Sequence, residues 1–139
     1  YIFDIERFTS FEGNTGPYIL YTIVRIKSIL GKYESMGKSV ADCLGAMEKA
    51  HNEHEKALML SLSRFNAVVE NAYEESAPHK LCAYIYELAN AFNGFYHGTK
   101  ILSEENEAAQ KAYIGLLCLT KSVLETCIDM LGFEAPERM

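Results

Sequence analysis

Apolar residues recur at three- and four-residue spacing along most of the chain, which is the period of amphipathic α-helices. The clearest stripe comprises Ile19, Ile23, Ile26, Leu30 and Tyr33. It follows Pro17, which is favoured in the first turn of a helix, and it stops before Gly37, a residue that favours the left-handed conformation after a helix end. The pattern therefore predicts a long helix over residues 17–36 with this stripe as its core face.

Capping residues divide the rest of the chain into further predicted helices. Ser39 is expected to cap a helix over residues 40–51. A helical pattern over residues 53–75 is expected to break near Arg64–Asn66, because Asn favours caps over helix interiors. Pro78 restarts a helix that is expected to reach Tyr96. Ser103 is expected to cap a last helix that runs to residue 131 and stops at Gly132.

These elements predict an all-α fold, a helical bundle of about five main helices joined by short loops. A short helical lead at residues 2–8 and a loop at residues 10–16 precede them. We therefore divide the chain into a lead segment and loop, residues 1–16, and a helical domain, residues 17–139. The longest apolar run, residues 18–24, is too short to cross a bilayer, so no membrane partner is expected.

Composition fits one compact domain, because 49% of the 139 residues are hydrophobic and only three are proline. No signal peptide is visible, and a chain that starts with Tyr1 is expected to be a piece of a longer protein. The four cysteines show no Cys-x-x-Cys pair and no zinc-ligand spacing: Cys43, Cys82, Cys118 and Cys127. We expect them to be reduced, packed side chains of a cytoplasmic protein.

Net charge is −6, which argues against nucleic-acid binding by bulk electrostatics. Residues 1–38 are the only part of the chain with a positive balance. On composition alone, the chain is an acidic helical interaction module. That alternative, a stand-alone protein-interaction module without an RNA partner, stays open at this point.

The first candidate for chemistry is a face of the first helix formed by Tyr18, Tyr21 and Arg25, at positions i, i+3 and i+7. Unstacked bases stack on tyrosine rings and on the guanidinium plane of arginine. Lys32 extends this side toward a phosphate. The alternative is an amphipathic helix whose tyrosines half-bury their rings and keep their hydroxyl groups in water.

Two further candidates lie near the other end of the chain. Tyr96 and Lys100 follow two phenylalanines, Phe92 and Phe95, whose spacing is typical of core residues; Tyr96, at the helix end, is the ring that we expect to be exposed. Arg138 and Met139 follow Pro136, which ends the last helix. They offer a charge for a phosphate and a flexible thioether for a base, although a chain end is ordinarily disordered.

A metal site and a catalytic site are both weak hypotheses. Glu48, His51, His54 and Glu55 could share one helical face and form half of a metal site, but a second His/Glu pair is missing. The serine, cysteine and histidine residues show no pattern of a nucleophile with its base. We therefore predict no metal, no cofactor and no catalytic residue in this chain.

Several motifs occur in a characteristic order: residues 10–18 (SFEGNTGPY), residues 78–89 (PHKLCAYIYELA), residues 92–96 (FNGFY) and residues 134–139 (EAPERM). Together they resemble the C-terminal, all-helical, DALR-type anticodon-binding domain of the arginyl-tRNA synthetases, a class I aminoacyl-tRNA synthetase family. The resemblance spans nearly the whole chain. The nucleotide-binding signature of a class I catalytic domain is not among these residues, so the chain resembles a piece of the enzyme.

The resemblance implies an anticodon stem-loop of arginine tRNA as the partner. In that family, the tyrosines and the arginine of the Gly-Pro-Tyr helix contact tRNA, a tyrosine at the position of Tyr96 lies against the anticodon loop, and the terminal methionine packs on a base. The implied RNA-binding residues are Tyr18, Tyr21, Arg25, Lys32, Tyr96, Lys100, Arg138 and Met139. The full-length enzyme would be a cytoplasmic monomer whose separate catalytic domain uses ATP and Mg to esterify arginine to tRNA.

Two departures from the family are visible. Relatives commonly carry an Arg-Leu pair in the last helix where this chain has Tyr113-Ile114, which puts any RNA contact of that arginine in doubt. A Phe-Pro helix start appears here as Phe65-Asn66, a change in capping.

Overall fold

The computed structural model describes residues 15–46 and 49–131, and all regular structure in these ranges is helical. The elements are α1 (Thr15–Ser35), a 3-10 turn (Ala41–Cys43), α2 (Glu53–Ser63), α3 (Phe65–Glu74), α4 (Pro78–Gly98) and α5 (Glu107–Leu131). The predicted all-α bundle is confirmed. The predicted lead helix at residues 2–8 and the predicted stop at Gly132 lie outside the described residues. None of the described helices is long and apolar enough to span a bilayer.

Helix α4 is the centre of the bundle, because α1, α2, α3 and α5 all pack against it. It begins at Pro78, as the sequence predicts, and continues past Tyr96 to Gly98. Phe92 and Phe95 are fully buried, which confirms them as core residues. The remaining buried side chains of α4 are Leu81, Cys82, Tyr84, Ile85, Leu88 and Ala89. A helix enclosed in this way holds its polar residues in fixed positions relative to its neighbours.

Helix α1 presents the predicted apolar stripe to this core. Ile19, Ile23, Ile26 and Tyr33 are buried, while Leu30 is partly buried. The helix begins at Thr15, within the segment that was expected to be a loop, and it ends at Ser35. Gly37 has φ +83°, so the predicted stop in a left-handed conformation is confirmed.

The predicted helix over residues 40–51 is wrong. The described part of this segment contains only the 3-10 turn, which Ser39 does not cap through its side chain. Gly45 follows with φ +79°, a conformation that interrupts a right-handed helix. The turn passes so close to α5 that a Cβ atom on Gly115 would lie 2.5 Å from the Cys43 carbonyl oxygen. The segment thus follows the surface of α5.

Asparagine caps the start of α2, among the candidate metal ligands, and the start of α5. Asn52 Oδ1 accepts from the Glu55 backbone N–H at 2.8 Å, and the Glu55 carboxylate accepts from the His51 backbone N–H at 2.6 Å. The arrangement differs from a capping box in that Glu55 accepts from the residue before the cap, not from the cap itself. Asn106 Oδ1 accepts from the backbone N–H of residue 109 at 3.0 Å. The predicted Ser103 cap is therefore wrong, because α5 begins only after Asn106.

The predicted break in residues 53–75 is confirmed, but its expected cause is wrong. Arg64 ends α2 and also precedes α3, with φ −86° and ψ −5°. Asn66 lies inside α3 rather than at its cap. The break is therefore a change of direction at Arg64 without a side-chain cap.

Candidate functional site

Packing of α1 against α4 brings four of the predicted RNA-binding residues together. These are Tyr18, Tyr21, Arg25 and Tyr96, which we call the tyrosine–arginine cluster. The first three share a face of α1, as their spacing predicts, and Tyr96 comes from the last turns of α4. The hydrogen bonds that join the two helices connect residues 68 to 75 positions apart in the sequence.

Arg25 connects the two helices through its guanidinium group. Its Cζ atom lies 4.5 Å from the ring centroid of Tyr96 and 5.0 Å from that of Tyr21. Nη2 donates to the Tyr21 hydroxyl at 3.2 Å, and Nη1 donates to Asn93 Oδ1 at 2.8 Å. Both hydrogen-bond acceptors are neutral, so these bonds orient the guanidinium group without neutralising its positive charge. Cation–π contacts of this kind contribute about 0.5–1 kcal/mol at exposed sites.

Tyr18 differs from Tyr21 in its surroundings. Its hydroxyl donates to Asn90 Oδ1 at 2.7 Å, and its ring lies 5.7 Å from the ring of Tyr86. Tyr18 is half-buried, whereas Tyr21 is 52% exposed. Tyr18 is thus half-buried, as in the alternative interpretation, but its hydroxyl bonds to Asn90 and not to water, and Tyr21 presents the open ring.

Tyr96 is half-buried rather than fully exposed. Its ring stacks on Phe92 with 6.2 Å between centroids and makes an edge contact with His97 at 5.1 Å. With Arg25 over its ring as well, Tyr96 is held by neighbours on α1 and α4. The rings of the cluster are thus packed against one another, and the most accessible ring belongs to Tyr21.

Sequence reasoning missed three residues of α4 beside the cluster: Tyr86, Asn90 and Asn93. They follow each other at i, i+4 and i+7, so they share one helix face. That spacing was available in the sequence, but two asparagines and a tyrosine carry no signal until the facing helix is known. Tyr86 is 39% exposed and adds a further ring beside Tyr18.

The predicted phosphate-binding residues are placed only in part. Lys32 lies exposed in the last turn of α1, and Lys100 lies exposed two residues after α4. The hydrogen bonds and ring contacts of the cluster do not include either lysine. Arg138 and Met139 lie outside the described residues.

The residues of the metal hypothesis are engaged in other contacts. His51 Nδ1 lies 2.9 Å from the buried Glu55 carboxylate, and the His54 ring packs against Gly98 so closely that a Cβ there would lie 2.4 Å away. Glu48 lies outside the described residues. Within residues 15–46 and 49–131, no group of three or more metal-type ligands occurs.

The cysteines are free thiols, three of them buried. Burial raises the pKa of the Cys127 thiol from its ordinary 9.0 to about 12, and burial likewise raises the pKa of Cys118. These thiols are therefore held in the protonated form at neutral pH, which fits packed side chains rather than nucleophiles.

The family model of the DALR anticodon-binding domain matches residues 19–139. This chain belongs to that family. The domain is also similar to two bacterial arginine–tRNA ligases over its full length. The chain is 73% identical over 139 residues to the arginine–tRNA ligase of Agathobacter rectalis and 54% identical to the arginine–tRNA ligase of Alkaliphilus oremlandii. Each match covers 100% of this chain and 23% of the relative. The chain therefore spans less than a quarter of those proteins.

A solved structure shows the same fold. Arginyl-tRNA synthetase of Thermus thermophilus superposes on the DALR domain with a TM-score of 0.74 and 32% identity. The superposition covers 93% of this chain and 22% of that one. The predicted family is thus confirmed by sequence and by structure.

The Tyr113-Ile114 pair, the first departure noted in the sequence, is part of the core of this DALR domain. Tyr113 is 3% exposed, and its hydroxyl donates to Glu104 Oε1 at 3.2 Å. Its ring makes an edge contact with Phe95 at 5.6 Å, and Ile114 is fully buried. The Tyr113 ring therefore lies under the loop that precedes α5.

Proposed function

We propose that this domain binds the anticodon stem-loop of arginine tRNA through the tyrosine–arginine cluster. The observation that carries the proposal is the guanidinium group of Arg25, which contacts the rings of both Tyr21 and Tyr96 across the α1–α4 interface. An aromatic and cationic surface of this kind suits the unpaired bases of an RNA loop. Membership of the DALR family and similarity to arginine–tRNA ligases support this choice of RNA.

Stacking, rather than overall charge, supplies the affinity in this proposal. A net charge of −6 opposes a general attraction to phosphates. Each base stacked on an aromatic ring contributes about 1–3 kcal/mol, so two or three stacked bases give useful affinity. Tyr21 is the most accessible platform, and Tyr86 extends the aromatic surface past Tyr18.

A small number of phosphate contacts completes the proposed interface. Lys32 and Lys100 are exposed and lie on the two chain segments that carry the cluster. Arg138 is proposed as a third phosphate contact and Met139 as a packing surface for one base. Few such contacts predict a shallow dependence of the binding constant on salt.

The proposed role of the whole protein follows from its relatives. They are arginine–tRNA ligases, so the domain is proposed to present arginine tRNA to a separate catalytic domain of the same protein. ATP and Mg would act in that catalytic domain. We propose a monomer that works in the cytoplasm.

Ultraviolet cross-linking tests where the RNA lies. An arginine-tRNA anticodon stem-loop with photoreactive uridines in its loop is irradiated with the domain, and the cross-linked peptides are identified by mass spectrometry. We expect cross-links to peptides that contain Tyr21 and Tyr96. Cross-links confined to α3, whose exposed Tyr73 provides an equally accessible ring, would overturn the proposed interface.

A second candidate function, binding of a protein partner, rests on a separate apolar groove. This groove has a volume of about 530 Å³ and lies between the 3-10 turn region, α2 and α5. Leu44 and Leu119 line it and are 62% and 51% exposed. Exposed apolar surface of this kind marks protein contacts. The substitution Leu119→Lys separates the two functions: it should weaken binding of a protein partner at the groove and leave binding of the stem-loop by the cluster unchanged, and weaker RNA binding would contradict this division.

A further inference from the structure

We propose that Asn93 is a positioning residue that fixes the guanidinium group of Arg25 in the orientation that RNA bases meet. The proposal rests on the proposed RNA-binding function and deepens it. Asn93 lies on α4, is half-buried, and faces α1 between Tyr18 and Arg25. Its side chain forms hydrogen bonds to three residues of α1.

The amide of Asn93 acts as an acceptor on one side and as a donor on the other. Oδ1 accepts from Arg25 Nη1 at 2.8 Å. Nδ2 donates to the Tyr18 hydroxyl at 2.9 Å and to Thr22 Oγ1 at 3.2 Å, and it also lies 3.0 Å from the backbone carbonyl oxygen of residue 89. The amide oxygen therefore binds Arg25, and the amide nitrogen binds Tyr18 and Thr22 on the same helix.

The direction of these bonds is determined by the neighbouring hydroxyl groups. The Tyr18 hydroxyl donates its proton to Asn90 Oδ1 at 2.7 Å, and Thr22 Oγ1 donates its proton to the Tyr18 carbonyl at 2.9 Å. Both hydroxyl oxygens are then acceptors toward Asn93. A rotated amide would face the Arg25 donors with its own NH₂ group, so only the observed orientation sets an acceptor against Arg25 and donors against the two hydroxyl oxygens.

Asparagine is the side chain that this position requires. Leucine has similar size but neither donates nor accepts. Aspartate accepts from Arg25 but cannot donate to Tyr18 and Thr22, and its negative charge would compensate the charge that the RNA needs. Asn93 orients Arg25 while leaving its charge available.

Fixing the guanidinium group before binding matters because ordering a flexible arginine costs free energy at the moment of association. In this domain, Asn93 and the Tyr21 hydroxyl hold two different guanidinium nitrogens, and the Tyr21 and Tyr96 rings contact the group. Removal of Asn93 leaves only one hydrogen bond to Arg25 within this set. The guanidinium group should then rotate more freely, and RNA binding should weaken.

A double-mutant cycle tests this role. Affinity for the arginine-tRNA anticodon stem-loop is measured for wild type, Asn93→Ala, Arg25→Ala and the double variant. A hydrogen bond to a charged group predicts about tenfold weaker binding for Asn93→Ala. We expect no additional loss when Asn93→Ala is added to Arg25→Ala, because Asn93 acts through Arg25. Equal losses in both backgrounds would overturn the proposal.

Nuclear magnetic resonance of the RNA-free protein gives an independent reading. In wild type, hindered rotation should give separate Nη signals for Arg25, and Asn93→Ala should merge them. Asn93→Asp keeps the acceptor, so the separate signals should persist. Asn90→Ala is the matched control, because Asn90 contacts Tyr18 but its observed bond does not involve Arg25.

These two measurements separate the positioning role from the proposed function. If wild type fails to bind the stem-loop, the proposed function is wrong, and the Arg25 signals still decide whether Asn93 orients the guanidinium group. Identical Arg25 signals in wild type and Asn93→Ala would refute the positioning role, whatever the RNA result.

Discussion

Replacement of Tyr21 by alanine tests the stacking interface at its most accessible ring. Tyr21 is 52% exposed and contacts Arg25 through its ring and its hydroxyl. Loss of one stacked base should cost about 1–3 kcal/mol of binding free energy. That cost corresponds to roughly five- to 150-fold weaker binding of the anticodon stem-loop.

The same change should have little effect on folding. The ring is half-exposed, and the cation–π contact it loses contributes about 0.5–1 kcal/mol at an exposed site. We expect the melting temperature to fall by no more than about 5 °C. Circular dichroism of the helical signal would measure this change, and a large loss of helix would make the binding result uninterpretable as stacking.

Tyr73→Ala is the matched control for Tyr21→Ala. Tyr73 is 65% exposed and lies on α3, and the contacts described for the cluster do not include it. Fluorescence anisotropy with a labelled stem-loop would compare the two variants at one salt concentration. The stacking account predicts weaker binding for Tyr21→Ala only. Wild-type affinity in Tyr21→Ala, or equal losses in both variants, would refute it.

Three further predictions concern charge, the chain end and pH. Alanine at both Lys32 and Lys100 should make the slope of log binding constant against log salt shallower, by the amount that about two lost phosphate contacts contribute, while binding stays measurable. Complete loss of binding would contradict stacking as the source of affinity. Deletion of Arg138 and Met139 should weaken binding by about tenfold, roughly 1.4 kcal/mol, with little change in melting temperature; a deletion variant as tight as the parent would refute their role. Because burial raises the pKa of Cys127 from 9.0 to about 12, the folded state keeps a proton that the unfolded state loses above pH 9. This thiol should therefore not affect the pH dependence of the free energy of unfolding, measured with urea, below pH 9. As pH rises from 9 toward 12, the free energy of unfolding should fall, and it should fall less steeply in Cys127→Ala than in wild type. An equally steep fall in both proteins would contradict this cause.

The sequence predicted the helices whose signals are local. Pro78 at the start of α4, Gly37 after α1 and the isoleucine stripe each act within a few residues, so their effects were predictable. The predicted helix at residues 40–51 failed for a non-local reason. The close approach of Cys43 to Gly115 on α5 favours a turn there, and that contact is invisible in the local pattern.

Capping was predicted by residue type but not by position. Ser103 and Asn106 are both good capping residues, and only Asn106 caps α5. The preceding loop is determined by the buried Gln110, whose Nε2 donates to the carbonyl oxygens of residues 101 and 102 at 3.1 Å. A side chain that reaches back by eight or nine residues decides where this helix begins.

For the candidate site, the sequence identified the residues of α1 and the tyrosine of α4. Their spacing placed Tyr18, Tyr21 and Arg25 on one face, and the family resemblance added Tyr96. It did not identify Asn93, because the hydrogen bond to Arg25 depends on how α4 packs against α1. Polar residues at a helix interface acquire a role only through the facing helix.

A salt-dependent binding titration decides whether this domain recognises the anticodon loop of arginine tRNA by stacking. The isolated domain is titrated with an arginine-tRNA anticodon stem-loop and with a stem-loop of identical stem whose anticodon nucleotides lack their bases, so that the phosphates remain and nothing can stack. The account predicts saturable, tighter binding of the arginine loop and a shallow salt slope for both RNAs. Equal affinity for the two loops with a steep salt slope would contradict it.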